Sequence, residues 1–254
     1  MNSVTRSDAP LAIITGASRG IGYAIAAEMA RRGHRLALLA RNPEPLEQAA
    51  RKLASAVEDP ELAPSGVEGR SRRAARAFPC DVRHSDQVQT TFGEILHWAG
   101  RCDLLVNNAG IGAFAPLDRL AEDDWNATLE TNLRGVFLCS KAVAPQMIRQ
   151  RSGYIINIAS LAGKNAFPGG SAYCASKWGL LGLTRCMAED LRGYGIRVSA
   201  ICPGTVHTEF SPHPGKDPGK MLQPEDVARV AGWLLDQAPQ SFASEIDLRP
   251  TQKP

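Results

Sequence analysis

Short apolar runs alternate with longer helical patterns along this chain, and that alternation restricts the fold more than any other feature. Leu11 to Thr15, Arg35 to Ala40, Ala77 to Cys80, Asp103 to Asn107, Tyr154 to Ile158 and Arg197 to Ile201 read as strands, with Glu245 to Leu248 as a seventh. The run Leu36-Ala37-Leu38-Leu39 is continuous rather than alternating, as a strand buried on both faces requires. Helical patterns separate the runs: Ile21 to Arg32 closed by Gly33, Pro43 to Val57, Ser85 to Ala99, and a long one from Glu122 to Arg151 with a bend near Gly135. A helix around Tyr173 runs to about Arg192, and Pro224 opens the last, with Glu225 and Asp226 on its positive end. Parallel strands need crossover connections, and crossover helices cover both faces of the sheet. The expected fold is α/β, one domain over 11–250 with about seven parallel strands. Ligands of such sheets bind beyond the carboxyl ends of the strands.

Composition narrows the class. The 254 residues are 44% hydrophobic and 22% charged, enough for one substantial core. The net charge is +3, and Arg70, Arg72, Arg73 and Arg76 carry four positive charges, so without them the balance is −1. The excess is therefore local to a Pro- and Gly-rich insertion at 59–76, read as a solvated loop or a docking patch for an acidic partner. A broad basic face with aromatic stacking is absent, so no nucleic-acid partner is expected. The six cysteines show no Cys-x-x-Cys pair and no histidine cluster at metal spacing; they read as small buried hydrophobes in a reducing compartment, with no metal. Residues 1–10 are polar, read as a flexible tail without a signal sequence, and no run approaches the ~20 apolar residues that span a bilayer. The expectation is a soluble, cytoplasmic protein with no membrane partner.

Three stretches carry chemistry. Thr15-Gly16-Ala17-Ser18-Arg19-Gly20-Ile21-Gly22 lies between the first strand and its helix. Three glycines let backbone approach a pyrophosphate, and the helix N-terminus favours the anion; otherwise the stretch is a glycine-eased turn. Where a carboxylate would hold an adenosine ribose, strand two ends in Ala40 and Arg41. Arginine pairs with a 2′-phosphate, and Arg19 can reach the same group, so the pattern favours NADP(H) over NAD unless Arg41 is merely solvated. Tyr173 and Lys177 are four apart on one helix face, so the ammonium is expected to lower the phenol pKa and make it a general acid or base, with Ser160 offering a hydroxyl to the same substrate oxygen.

With Asn107-Asn108-Ala109-Gly110, Asn132 and Pro203-Gly204 added in the same order, the chain resembles the short-chain dehydrogenase/reductase family from Leu11 to about Leu248. The resemblance implies a Rossmann-like, doubly wound sheet and roles residue by residue. Asn132, Ser160, Tyr173 and Lys177 would be catalytic, with Asn132 holding a relay water or else satisfying backbone at a helix bend. Gly16, Ser18, Arg19, Gly20, Ile21, Gly22 and Arg41 would hold the cofactor's phosphates, and Asp81 and Val82 would border its adenine, unless Asp81 only forms a turn. Asn108, Ala109 and Gly110, with Tyr173 and Lys177, would line its riboses; Pro203, Gly204, Val206 and Thr208 would hold the nicotinamide. Residues 209–223 would form a short substrate lid, with Phe114, Phe167 and Phe210 either lining the pocket or packing.

The pattern is closest to 3-oxoacyl-[acyl-carrier-protein] reductase-like members, which implies an NADP-dependent ketoreductase acting on a thioester or another small molecule. The alternatives are a dehydrogenase of a small alcohol, 3-hydroxy acid or sugar, or a non-catalytic NADP sensor. The C-terminal run Ser241 to Pro250 lacks the Asp-Gly-Gly of many tetrameric members. A homodimer through the Asn132 and Tyr173 helices is expected, with a tetramer as the alternative.

Overall fold

In the computed structural model, which describes residues 9–58, 75–210, 215 and 217–253, seven strands form one parallel sheet. They are β1 (Leu11–Thr15), β2 (Arg35–Ala40), β3 (Ala75–Pro79), β4 (Leu104–Asn107), β5 (Gly153–Ile158), β6 (Ile196–Pro203) and β7 (Glu245–Leu248), in the order β3-β2-β1-β4-β5-β6-β7. The helices are α1 (Gly20–Arg31), α2 (Pro43–Glu58), α3 (Ser85–Ala99), α4 (Glu122–Leu129), α5 (Gly135–Gln150), α6 (Ser171–Arg192) and α7 (Pro224–Leu235). The chain winds outward from β1 to β3, then returns to β4 on the other side of β1. That reversal leaves a crevice above the β1/β4 boundary.

The two faces are built by strand alternation. Ala12, Ile14, Leu36, Leu38, Val106 and Ile156 face one cluster with Ile25 and Met29 of α1, Leu46 of α2 and Val227 of α7. Leu11, Ile13, Ala37, Leu39, Leu105 and Ile155 face the opposite cluster, with Phe92 and Ile95 of α3, Val143 and Met147 of α5 and Leu191 of α6. Successive Cβ atoms point to opposite faces, so a strand covered on both sides must be apolar throughout. Each fully buried Ile or Leu contributes about 1.5–3 kcal/mol of transfer free energy.

A buried polar chain fastens the sheet to the second face. Asn107 Nδ2 donates to Ser140 Oγ at 3.0 Å and Asn157 Oδ1 at 2.9 Å, and Asn157 Nδ2 donates to Thr184 Oγ1 at 2.8 Å. β4, β5, α5 and α6 are thereby fixed directly beneath the crevice. On the sheet's edge, β7 carries Glu245 and Asp247, both paired with Lys164, and Glu245 also accepts from Arg185 of α6 at 3.0 Å.

The structure corrects two sequence expectations and refines a third. β3 begins at Ala75, so Arg76 belongs to a strand rather than the insertion, its guanidinium lying 4.6 Å from the centroid of the Trp98 ring. The insertion otherwise falls at 59–74, outside the described residues, as do its other arginines and most of the 1–10 tail. The expected long helical region is continuous from Glu122 to Gln150, and its irregularity near Gly135 is a π-helical turn, Glu130–Arg134, that joins α4 to α5. Five cysteines are buried, but Cys186 is exposed. Among the described residues no helix is long and apolar enough to cross a membrane.

Candidate active site

The loops on either side of the crevice are interlocked. Thr15 Oγ1 accepts from the backbone N–H groups of Asn108 and Ala109, each at 3.0 Å, while Asn108 Nδ2 donates to the Thr15 and Gly16 carbonyls at 3.1 Å. Gly16 has φ +65°, and a Cβ on it would come within 2.9 Å of Ala109 Cα. The bare backbone of this turn and the first amides of α1 face a cleft of about 1420 Å³, which suits a pyrophosphate. Gly16, Ser18, Arg19, Gly20, Ile21, Arg41, Asp81, Val82, Asn108, Ala109 and Gly110 line the cleft. Ser160, Tyr173, Lys177, Pro203, Gly204, Val206 and Thr208 line it as well.

Two singled-out residues lie behind the wall. A Cβ on Gly22 would fall 2.3 Å from the Gly16 carbonyl oxygen, so this glycine lets α1 press against the loop. Asn132 is fully buried in the π turn. Its Oδ1 accepts from the Ile111 N–H at 2.9 Å, and its Nδ2 donates to the Ile111 carbonyl at 2.8 Å and to Ser176 Oγ at 3.0 Å. It ties the loop after β4 to α6.

The charges at the cleft mouth are only partly committed. Arg41 is exposed. Arg19 pairs with Glu209 at 2.7 Å, both side chains being mostly in solvent. Burial alone would raise the Asp81 carboxyl, but hydrogen bonds from Arg83 and the charge of Arg41 bring it below the usual carboxylate range. Asp81 also accepts from the Arg83 backbone N–H at 3.0 Å, a turn-forming contact.

Ser160 follows β5, and α6 supplies Tyr173 and Lys177 one turn apart. Burial pushes the Tyr173 phenol up to about 12, opposed by its hydrogen bond with the Ser160 side chain. Burial likewise lowers the Lys177 amine to about 8. Its Nζ donates to the Ile158 carbonyl at 2.9 Å and lies 5.6 Å from the Tyr173 ring centroid. The expected lowering of the phenol by Lys177 is therefore reversed in the protein without cofactor, because desolvation outweighs the neighbouring charge.

The far wall includes a segment that sequence reasoning missed. The Gly204 N–H donates to the Leu248 carbonyl at 2.8 Å, and Pro250 Cδ comes within 3.2 Å of where a Gly204 Cβ would stand. The chain after β7 thus crosses the end of β6, and residues 249–253 line the cleft. The base of the 209–223 lid is closed by a parallel bridge between Val206 and Leu222; residues 211–214 and 216 are outside the described ones.

The profile of the short chain dehydrogenase family matches residues 10–218. The chain belongs to that family. A D-threitol dehydrogenase of Mycolicibacterium smegmatis is 35% identical over 244 residues, covering 92% of this chain and 88% of that protein. A 3-oxoacyl-[acyl-carrier-protein] reductase of Synechocystis is 36% identical over 238 residues, covering 91% of each. Among solved structures, a metagenomic short-chain oxidoreductase in complex with NADP is 40% identical, with a TM-score of 0.80 over 96% of this chain and 98% of that one. The short-chain dehydrogenase described here is an oxidoreductase of the nicotinamide-dinucleotide class, and its relatives act on different substrates.

Proposed function

We propose that this protein interconverts a carbonyl and a secondary alcohol by hydride transfer with NADP(H), and that its substrate is a 3-oxoacyl thioester or a related ketone. The observation that carries the reading is a half-buried, protonated Tyr173 phenol that faces the cleft together with the Ser160 hydroxyl and Lys177. When bound, the nicotinamide supplies or accepts the hydride. Ser160 and Tyr173 line the same part of the cleft wall as Lys177, and in this reading both hydroxyls hydrogen-bond a carbonyl oxygen as its negative charge grows. Tyr173 delivers its proton to that oxygen, and the Lys177 charge stabilises the tyrosinate left behind. Asn132 holds the loop after β4 against α6 while this happens.

Several observations support the finer parts of the proposal. Ala40 and Arg41 close β2 without a carboxylate, and Arg19 lines the same cleft, which suits a 2′-phosphate. Phe137 of α5 and Trp178 of α6 are 45% and 55% exposed, which supports a homodimer through these helices, to be tested by light scattering. Deciding between reductase and sensor requires NADPH consumption with 3-oxoacyl thioesters, ketones and aldehydes, repeated with NADH and with Tyr173→Phe. Turnover that prefers NADPH and falls at least ~10²-fold in the variant is expected. Full turnover in Tyr173→Phe rejects the catalytic assignment.

A further inference from the structure

Three phenylalanines from three separate loops gather at the reacting tyrosine. The Phe114 ring meets Tyr173 edge-on, with centroids 5.6 Å apart, and Phe210 lies tilted at 5.7 Å. Phe167 packs on Phe114 at 6.0 Å. Gly112 lets the group close up, since a Cβ there would fall 2.6 Å from Phe114 Cζ and 3.2 Å from Phe210 Cε1. All three rings line the cleft, yet they remain 42–43% exposed. Ordinary packing would cover them; here each keeps surface turned toward the place where a substrate must sit.

Resting on the reductase reading of the same site, we infer that the carbonyl carbon of the substrate carries a flat apolar substituent of aryl size rather than a row of hydroxyls. An aryl group gains edge-to-face and offset contacts with these rings in addition to burial. A polyol pressed against the same rings gives up its hydrogen bonds to water and receives none from them. The collar therefore separates the aromatic or acyl ketones from the sugar alcohols handled by some members of the family.

The test compares kcat/KM with NADPH for acetophenone, acetone and a four-carbon ketose. Acetophenone is expected to exceed the ketose by at least ~10²-fold. Phe167→Ala and Phe210→Ala should each lower the acetophenone-to-acetone ratio of kcat/KM about tenfold, mainly through KM for acetophenone. A ketose reduced as well as acetophenone, or a ratio unchanged in both variants, overturns the inference while leaving the reductase reading intact. Saturation-transfer NMR of acetophenone with the Tyr173→Phe protein and NADP⁺ needs no turnover. Binding that disappears in the Tyr173→Phe/Phe210→Ala protein supports the collar even if wild type reduces no ketone, the result that would remove the reductase reading alone. Absence of acetophenone binding to the single variant overturns the collar.

Discussion

The Lys177 ammonium lies 5.6 Å from the centroid of the Tyr173 ring, but its hydrogen bond goes to the Ile158 carbonyl at 2.9 Å. Lys177 is buried and Tyr173 half-buried, and desolvation moves them in opposite directions, each toward its neutral form. Two measurements on the protein without cofactor read this arrangement directly.

The first concerns the phenol. A difference titration at the tyrosinate absorbance, wild type minus Tyr173→Phe, should show no step below pH 10, because the Tyr173 phenol is raised to about 12. A step between pH 7 and 8 would mean that the lysine governs the tyrosine without help from a bound cofactor.

The second concerns the amine. The Lys177 amine is lowered from its ordinary value of 10.5 to about 8 in the folded protein, so between them the unfolded chain binds more protons. Its contribution to stability is therefore least favourable below about pH 8 and recovers as pH rises toward 10.5. The difference corresponds to about 3 kcal/mol, less about 1 kcal/mol for the hydrogen bond lost at Ile158. Lys177→Met should accordingly be about 2 kcal/mol more stable than wild type at pH 7 and lose that advantage above pH 10, while losing turnover. Urea unfolding at the two pH values checks it; a variant less stable at pH 7 contradicts it.

Gly22→Ala places a methyl group 2.3 Å from the Gly16 carbonyl oxygen. Separation of α1 from the loop should cost about 1–3 kcal/mol and weaken NADPH binding at least about tenfold. Gly182→Ala, in open space on α6, should instead gain about 0.5–1 kcal/mol. Thermal melts and fluorescence titrations of both variants are the comparison, and equal behaviour would show that close packing at Gly22 has no consequence.

Glu209 occupies the Arg19 guanidinium at 2.7 Å in a pair that is largely solvated. Such a pair is worth about 0.2–1 kcal/mol, so Glu209→Gln should tighten NADPH about two- to fivefold by freeing Arg19 for the 2′-phosphate. NADH, which lacks that phosphate, should bind unchanged. Equal gains for both cofactors would locate the effect elsewhere.

Much of this was legible in the chain. A parallel sheet covered on both faces followed from continuous apolar runs such as Leu36 to Leu39, whose burial on two faces admits no alternation; the strand order did not. The turn Gly16 to Ile21 was legible from glycines placed between a strand and a helix, whereas Asp81, Val82, Val206 and Thr208 came to notice only through the family resemblance. Depth was not legible: the Tyr173–Lys177 spacing says that two groups are neighbours, whereas their protonation depends on how much protein lies above them. Nor was the π turn at Glu130–Arg134, since one extra residue in a turn hardly disturbs helical periodicity. Ala75 and Arg76 were hidden because arginine suggests solvent, while Arg76 in fact lies over Trp98. Residues 249–253 carry no pattern at all; only the pairing of β7 with β6 brings them to the cleft.

That last segment bears on how the protein should be handled. A fusion partner or fluorophore joined beyond residue 253 would emerge beside the cleft, where it can obstruct substrate or report on its arrival. One joined ahead of residue 9 meets the sheet at the amino ends of its strands, separated from the cleft by the five residues of β1, roughly 16 Å. Kinetic work therefore calls for an amino-terminal label, and a binding sensor for a carboxyl-terminal one.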